Sequence, residues 1–122
     1  SQSLFFEPTL LGDMTSQMVL FSDETFGPVA GVFKFTTEAE AIDLANDTRF
    51  GLASYFYSRD FAQCFRVSAA LEYGMVAINE PILANAAIPF GGMKESGLGR
   101  EGGVEGFGEF LETKYILLGG LT

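Results

Sequence analysis

An α/β fold built on a parallel sheet is what this sequence predicts, and three observations predict it. Short β-rich runs at 29–35, 52–58 and 75–79 alternate with two stretches of helical periodicity that follow Thr37 and Asp60. Strands alternating with helices in this way imply crossover connections and a parallel sheet covered on both faces. Of 122 residues, 48% are hydrophobic and thirteen are phenylalanine, enough for a packed interior rather than a disordered chain.

Each element has its own local reason. Pro28 precedes "VAGVFKF", where Val29, Val32, Phe33 and Phe35 form a run suited to a doubly buried strand. Thr37 with Glu40 three residues later is a capping box, and Ala39, Ile42 and Ala45 follow at helical spacing, so the spacing predicts a helix over 38–47. "LASYFYS" (52–58) is a second strand. Asp60 with Gln63 repeats the cap and opens a helix on which Phe61, Cys64, Phe65, Ser68 and Leu71 share a face, with Gly74 placed as its C-terminal cap. "MVAIN" (75–79) is a third strand. "VEGFGEFLE" is a poor helix because Gly106 and Gly108 lie inside it, and "KYILLGG" (114–120) reads as a terminal strand that must close its own sheet or extend a neighbour's. The opening "SQSLFF" carries neither an initiator methionine nor a helix cap, so the chain reads as a fragment of a longer one.

Composition narrows the chemistry. Sixteen acidic against seven basic residues, a formal charge of -9, argue against a nucleic-acid partner. The absence of histidine removes Ser-His-Asp and Cys-His catalysis within this chain, and with one cysteine it leaves no conventional metal site. No apolar run reaches the roughly 18 residues of a membrane span, and with the lone Cys64 this reads as a soluble, cytoplasmic chain. Cys64 itself reads as a small core hydrophobe, since nothing beside it would generate a thiolate.

Two segments remain. "DETFGPV" (23–29) is either a solvated turn or a carboxylate and an aromatic arranged for sugar hydroxyls and a flat ring, and composition does not choose. "IPFGGMKESGLGREGG" (88–103) contains a glycine pattern, but no strand runs directly into it and no good helix follows. It therefore fails as a dinucleotide fingerprint or phosphate loop and reads as a structural loop. The pairs Glu38/Glu40 and Glu109/Glu112 read as solvated helix faces.

Taken together, "ETFGPV" (24–29), "NDTRFGLASYFYSRD" (46–60), "GMVAIN" (74–79) and "PFGGMKESGLGREGG" (89–103) resemble, in order and spacing, the C-terminal part of the NAD(P)-dependent aldehyde dehydrogenases. With "ETKYILLGG" (112–120), the last motif is most similar to the succinate-semialdehyde branch. The resemblance implies that 1–112 is the C-terminal portion of a catalytic domain and 113–122 an oligomerisation strand of a homo-oligomer, a dimer or tetramer. It implies an enzyme in which a cysteine thiolate attacks the aldehyde, the adduct gives hydride to NAD or NADP, and a glutamate activates the water that hydrolyses the thioester. It places no catalytic residue in this chain, so the 122 residues alone would not turn over.

Residue by residue, the resemblance makes Glu24 the acceptor for the nicotinamide ribose hydroxyls, Phe26 the aromatic beside the nicotinamide ring, and Phe90 a wall of the aldehyde channel. The branch commonly has a serine for the substrate carboxylate where this chain has Ala84, followed by Asn85 as a substitute donor.

Overall fold

Parallel pairing occurs twice, in two separate units of the chain. The computed structural model describes residues 4–120, so the first three residues of the strand-like opening and the last two of the expected assembly segment lie outside the described residues. The units are Ser1–Arg49 and Phe50–Thr122, each with one two-stranded parallel sheet.

In the first unit, β1 (Thr9–Leu11) pairs with β2 (Val29–Gly31) in the register Thr9↔Val29 to Leu11↔Gly31. Between them stands α1 (Val19–Ser22), a single turn that the sequence did not signal. The strand expected over 29–35 stops at Gly31, because β1 offers three residues to pair with. One further bond runs from Val32 N–H to the Leu11 carbonyl at 2.8 Å, after which Phe33 turns to meet Phe21 edge-on at 5.4 Å. Nor is the strand buried on both faces: Ala30 is exposed and Val32 is about half-exposed.

The capping box at α2 (Glu38–Asn46) forms with a shift of one residue. Glu40 N–H donates to Thr37 Oγ1 at 3.2 Å, while the Glu40 carboxylate reaches past the cap to accept from both the Thr36 N–H and the Thr36 hydroxyl at 2.7 Å. These bonds, the backbone one foremost, hold the Glu40 carboxyl below its usual value. A carboxyl whose folded value is depressed stabilises the fold at neutral pH and loses that contribution as pH falls through the folded value. Thr37→Ala is expected to destabilise the protein by about 1 kcal/mol in urea unfolding. Glu40→Gln is expected to flatten the acid limb of the stability profile, and an acid limb that matches the parent's would remove Glu40 from it.

In the second unit, β3 (Ala53–Phe56) pairs with β4 (Met75–Ile78) from Ala53↔Met75 to Phe56↔Ile78, and α3 (Phe61–Ala70) crosses between them. Asp60 caps α3 as its spacing predicts, accepting from Gln63 N–H at 3.1 Å. The helix presents a different face than expected. Val67 is buried, as are Met75 and Ala77 on β4, and Cys64 is half-buried, whereas Phe61 and Phe65 are exposed and stack edge-to-face on one another at 4.9 Å. A two-stranded sheet is too narrow to cover the whole apolar arc of a helix, so the arc centred on Val67 docks and the phenylalanines stay outside.

Gly74 is not the helix cap. α3 ends at Leu71 in extended backbone, and Gly74 keeps a negative φ. What excludes a side chain there is space, since a Cβ on Gly74 would lie 2.0 Å from the Gly91 carbonyl oxygen. The poor helix after residue 104 is a 3-10 turn, Glu105–Phe110. The expected strand at 114–120 pairs with nothing among the described residues: 111–120 form no regular element and are exposed.

Candidate functional site

Glu24 and Phe26 belong to the first unit, on the loop between α1 and β2. Both are exposed, Phe26 at 93%, and no described residue bonds the Glu24 carboxylate. The loop around them is fixed from its far end. Val29 N–H donates back to the Gly27 carbonyl at 2.8 Å, a tight turn about Pro28, and Thr9 N–H donates to the Pro28 carbonyl at 2.8 Å. A carboxylate with unused acceptors two residues from a bare aromatic ring fits a vicinal diol attached to a planar heterocycle. The ribose and nicotinamide of NAD(P) have that chemistry.

Ala84, Asn85 and Phe90 belong to the second unit, on the segment that leaves β4 and returns to the sheet. Ala84 and Asn85 are exposed. Asn85 Oδ1 accepts from Ala87 N–H at 2.9 Å, and the Asn85 carbonyl accepts from Ile88 N–H at 3.3 Å, a local turn that any Asn-x-Ala-Ile run could make. The acceptor half of the side-chain amide is therefore engaged and the donor half, Nδ2, is what remains for a ligand. Phe90 is tied to Glu101 by a pair of reciprocal backbone bonds at 2.7 Å, an antiparallel bridge, and is 40% exposed. It borders a cavity of about 390 Å³ with Leu52, Leu98 and Arg100.

The glycine segment lies with its backbone against the start of the β3–β4 sheet. Met93 N–H and Gly74 N–H both donate to the Gly51 carbonyl at 2.9 Å, and Gly51 N–H donates to Ser96 Oγ at 2.9 Å. Arg100 Nη1 closes the loop on itself by donating to the carbonyls of Gly92 and Gly99 at 2.8 and 2.7 Å. One nitrogen of the guanidinium thus serves to tie the loop backbone together. Lys94, at φ 56°, pairs with Glu72 at 2.8 Å. Burial pushes the neighbouring Tyr73 hydroxyl up, and the Lys94 ammonium partly offsets that.

Among the described residues no cluster of His, Cys, Asp or Glu could hold a metal, and no helix is long and apolar enough to cross a membrane. Asn79 is a residue that sequence reasoning treated as the last of a strand. Its amide bonds both backbone groups of Ser58. The signal that could have found it is an asparagine at a strand end two residues before Pro81.

Residues 1–116 match the model of the aldehyde dehydrogenase family. The chain is 56% identical over 118 residues to a succinate semialdehyde dehydrogenase of Acinetobacter baylyi, covering 97% of this chain and 24% of that protein. It is 57% identical over 117 residues to a glutarate-semialdehyde dehydrogenase of Pseudomonas aeruginosa, covering 96% and 24%. The fold superposes with a TM-score of 0.88 and 46% identity on betaine aldehyde dehydrogenase from Staphylococcus aureus, solved in complex with NAD+, over 93% of this chain and 22% of that one. The chain thus spans about a quarter of the length of the proteins it resembles.

Proposed function

The chain belongs to the aldehyde dehydrogenase family, and from that premise we propose that it forms the C-terminal part of the catalytic domain of an oxidoreductase acting on a semialdehyde with a terminal carboxylate. The observation that carries this reading is identity above one half, along nearly the whole chain, to enzymes named for two such substrates, the four-carbon and five-carbon semialdehydes. NAD or NADP, when bound, supplies the hydride acceptor. Glu24 would accept hydrogen bonds from the ribose hydroxyls and Phe26 would flank the nicotinamide, a positioning contribution to hydride transfer. Phe90 gives the aldehyde channel an apolar wall that excludes water. Asn85 Nδ2 donates to the carboxylate of the substrate in place of the hydroxyl that Ala84 lacks, an interaction of about 1 to 3 kcal/mol with a charged acceptor.

No residue of this chain is assigned as nucleophile or base. Cys64 sits mid-helix with its thiol directed to the Ser58 carbonyl at 4.0 Å. Residues 1–112 belong to the catalytic domain in this reading, and 113–122 form a strand that completes a sheet of a partner subunit in a homo-oligomer. The exposed apolar run Tyr115, Ile116, Leu117 and Leu118 supports that assignment. A cytoplasmic location is part of the same reading.

The test is a kinetic screen of the full-length enzyme with succinate semialdehyde, glutarate semialdehyde and butanal. A preference in kcat/KM of about a hundredfold for the charged substrates is expected, the worth of one hydrogen bond to a charged acceptor at the upper end of its usual range. Equal rates with butanal would overturn the carboxylate reading and leave a general aldehyde dehydrogenase.

A further inference from the structure

Asn79 stands where the chain leaves β4, and its backbone is left-handed at φ 59°. The β3–β4 ladder continues one step past its last registered pair, Phe56↔Ile78, with Asn79 N–H donating to the Phe56 carbonyl at 2.9 Å. The next bond of a parallel ladder would run from Ser58 N–H to the Asn79 backbone carbonyl. Ser58 N–H instead donates to Asn79 Oδ1 at 2.9 Å, and Asn79 Nδ2 donates to the Ser58 carbonyl at 2.7 Å. A side-chain amide has replaced the backbone of one residue of strand, which frees the main chain to turn out of the sheet at that point.

The residue it grips is itself fixed. Ser58 Oγ accepts from Asp60 N–H at 3.0 Å and bonds Gln63 Oε1, so Ser58 is tied to the first turn of α3. The far end of the outgoing segment is held too, by the Phe90–Glu101 bridge and by Gly103 N–H on the Ala86 carbonyl at 3.3 Å. Ala84 and Asn85 therefore lie on a span whose departure from the sheet is set at a single residue.

We propose that Asn79 is a positioning residue for substrate selection: by bridging both backbone groups of Ser58 it sets the direction in which 80–89 leaves the sheet, and with it the place of Asn85 Nδ2 opposite the carboxylate of the substrate. The proposal rests on the semialdehyde reading above. Asparagine meets all three requirements at once, because it tolerates a left-handed backbone and carries a donor and an acceptor on one short side chain. Glycine accepts the backbone but deletes both bonds. Aspartate keeps the acceptor and sets a carboxylate against the Ser58 carbonyl.

The experiment uses the full-length enzyme with Asn79→Asp and Asn79→Gly. The ratio of kcat/KM for succinate semialdehyde to that for butanal is expected to fall about fivefold in both variants, through KM for the semialdehyde, with the butanal constants within about twofold of the parent. An unchanged ratio, or an equal loss on both substrates, overturns the proposal. Hydrogen exchange of peptides spanning 80–89 is measured alongside. Faster exchange in the variants supports the anchoring, and exchange at the parent's rate overturns it whatever the substrate proves to be. A parent enzyme that shows no preference for the semialdehyde overturns the substrate reading, and with it Asn79's part in selection, and leaves the exchange data to decide the anchoring. Should Asn79→Gly fail to fold, Asn79→Asp carries both readouts.

Discussion

Gly74→Ala is expected to destabilise the protein by about 3 kcal/mol, the upper end of what an inserted methyl group costs in packed surroundings. The added carbon would meet the Gly91 carbonyl oxygen at 2.0 Å and the Gly92 Cα at 2.8 Å. No rotamer relieves this, because the contact is with backbone. Nor is either side free to retreat: Gly74 N–H is bonded to Gly51, and the facing loop is held by Met93 N–H on the same carbonyl and by Arg100 on the Gly92 carbonyl. Gly108→Ala is the control, since nothing lies within 4 Å of a Cβ there. Equilibrium urea unfolding of the two variants should separate them clearly, and equal midpoints would show that the loop does not pack on the sheet in this way.

Glu24→Gln in the full-length enzyme is expected to lower hydride transfer about tenfold, the loss of one hydrogen bond to a charged acceptor. The substitution keeps the length of the side chain and replaces one acceptor oxygen with a donor, so one ribose hydroxyl is left without its partner. Steady-state rates at limiting and at saturating cofactor distinguish weaker binding from misplacement. A rise in KM for the cofactor alone indicates binding, and a fall in kcat at saturation indicates an altered transfer geometry. Unchanged constants under both conditions would remove Glu24 from the site.

The sequence disclosed those features whose cause is local. Thr37 with Glu40 and Asp60 with Gln63 start helices where their spacing predicts, because a cap needs no residue outside its own turn. β3 and β4 were legible as apolar runs for the same reason. What escaped is set by partners distant along the chain. The length of β2 follows from that of β1, and the docked face of α3 follows from the width of its sheet. Gly74 was misread as a cap because its crowding comes from Gly91, seventeen positions on, which no periodicity reveals. Glu24 and Phe26 were proposed through a family motif, since the exposed turn that carries them looks in composition like any other.

The span between Asn79 and Phe90 also defines how this protein could be redesigned. At its start Asn79 grips Ser58 through its side-chain amide, and beyond its far end Gly91 and Gly92 leave no room for a Cβ, while Ala84 and Asn85 in its middle are exposed and make few bonds beyond their own turn. A library that randomises positions 82–87 and leaves 79 and 90–92 untouched would vary the part of the span assigned to the substrate without loosening its anchors. Catalysts for other aldehydes should be recoverable from it at a high proportion of folded members.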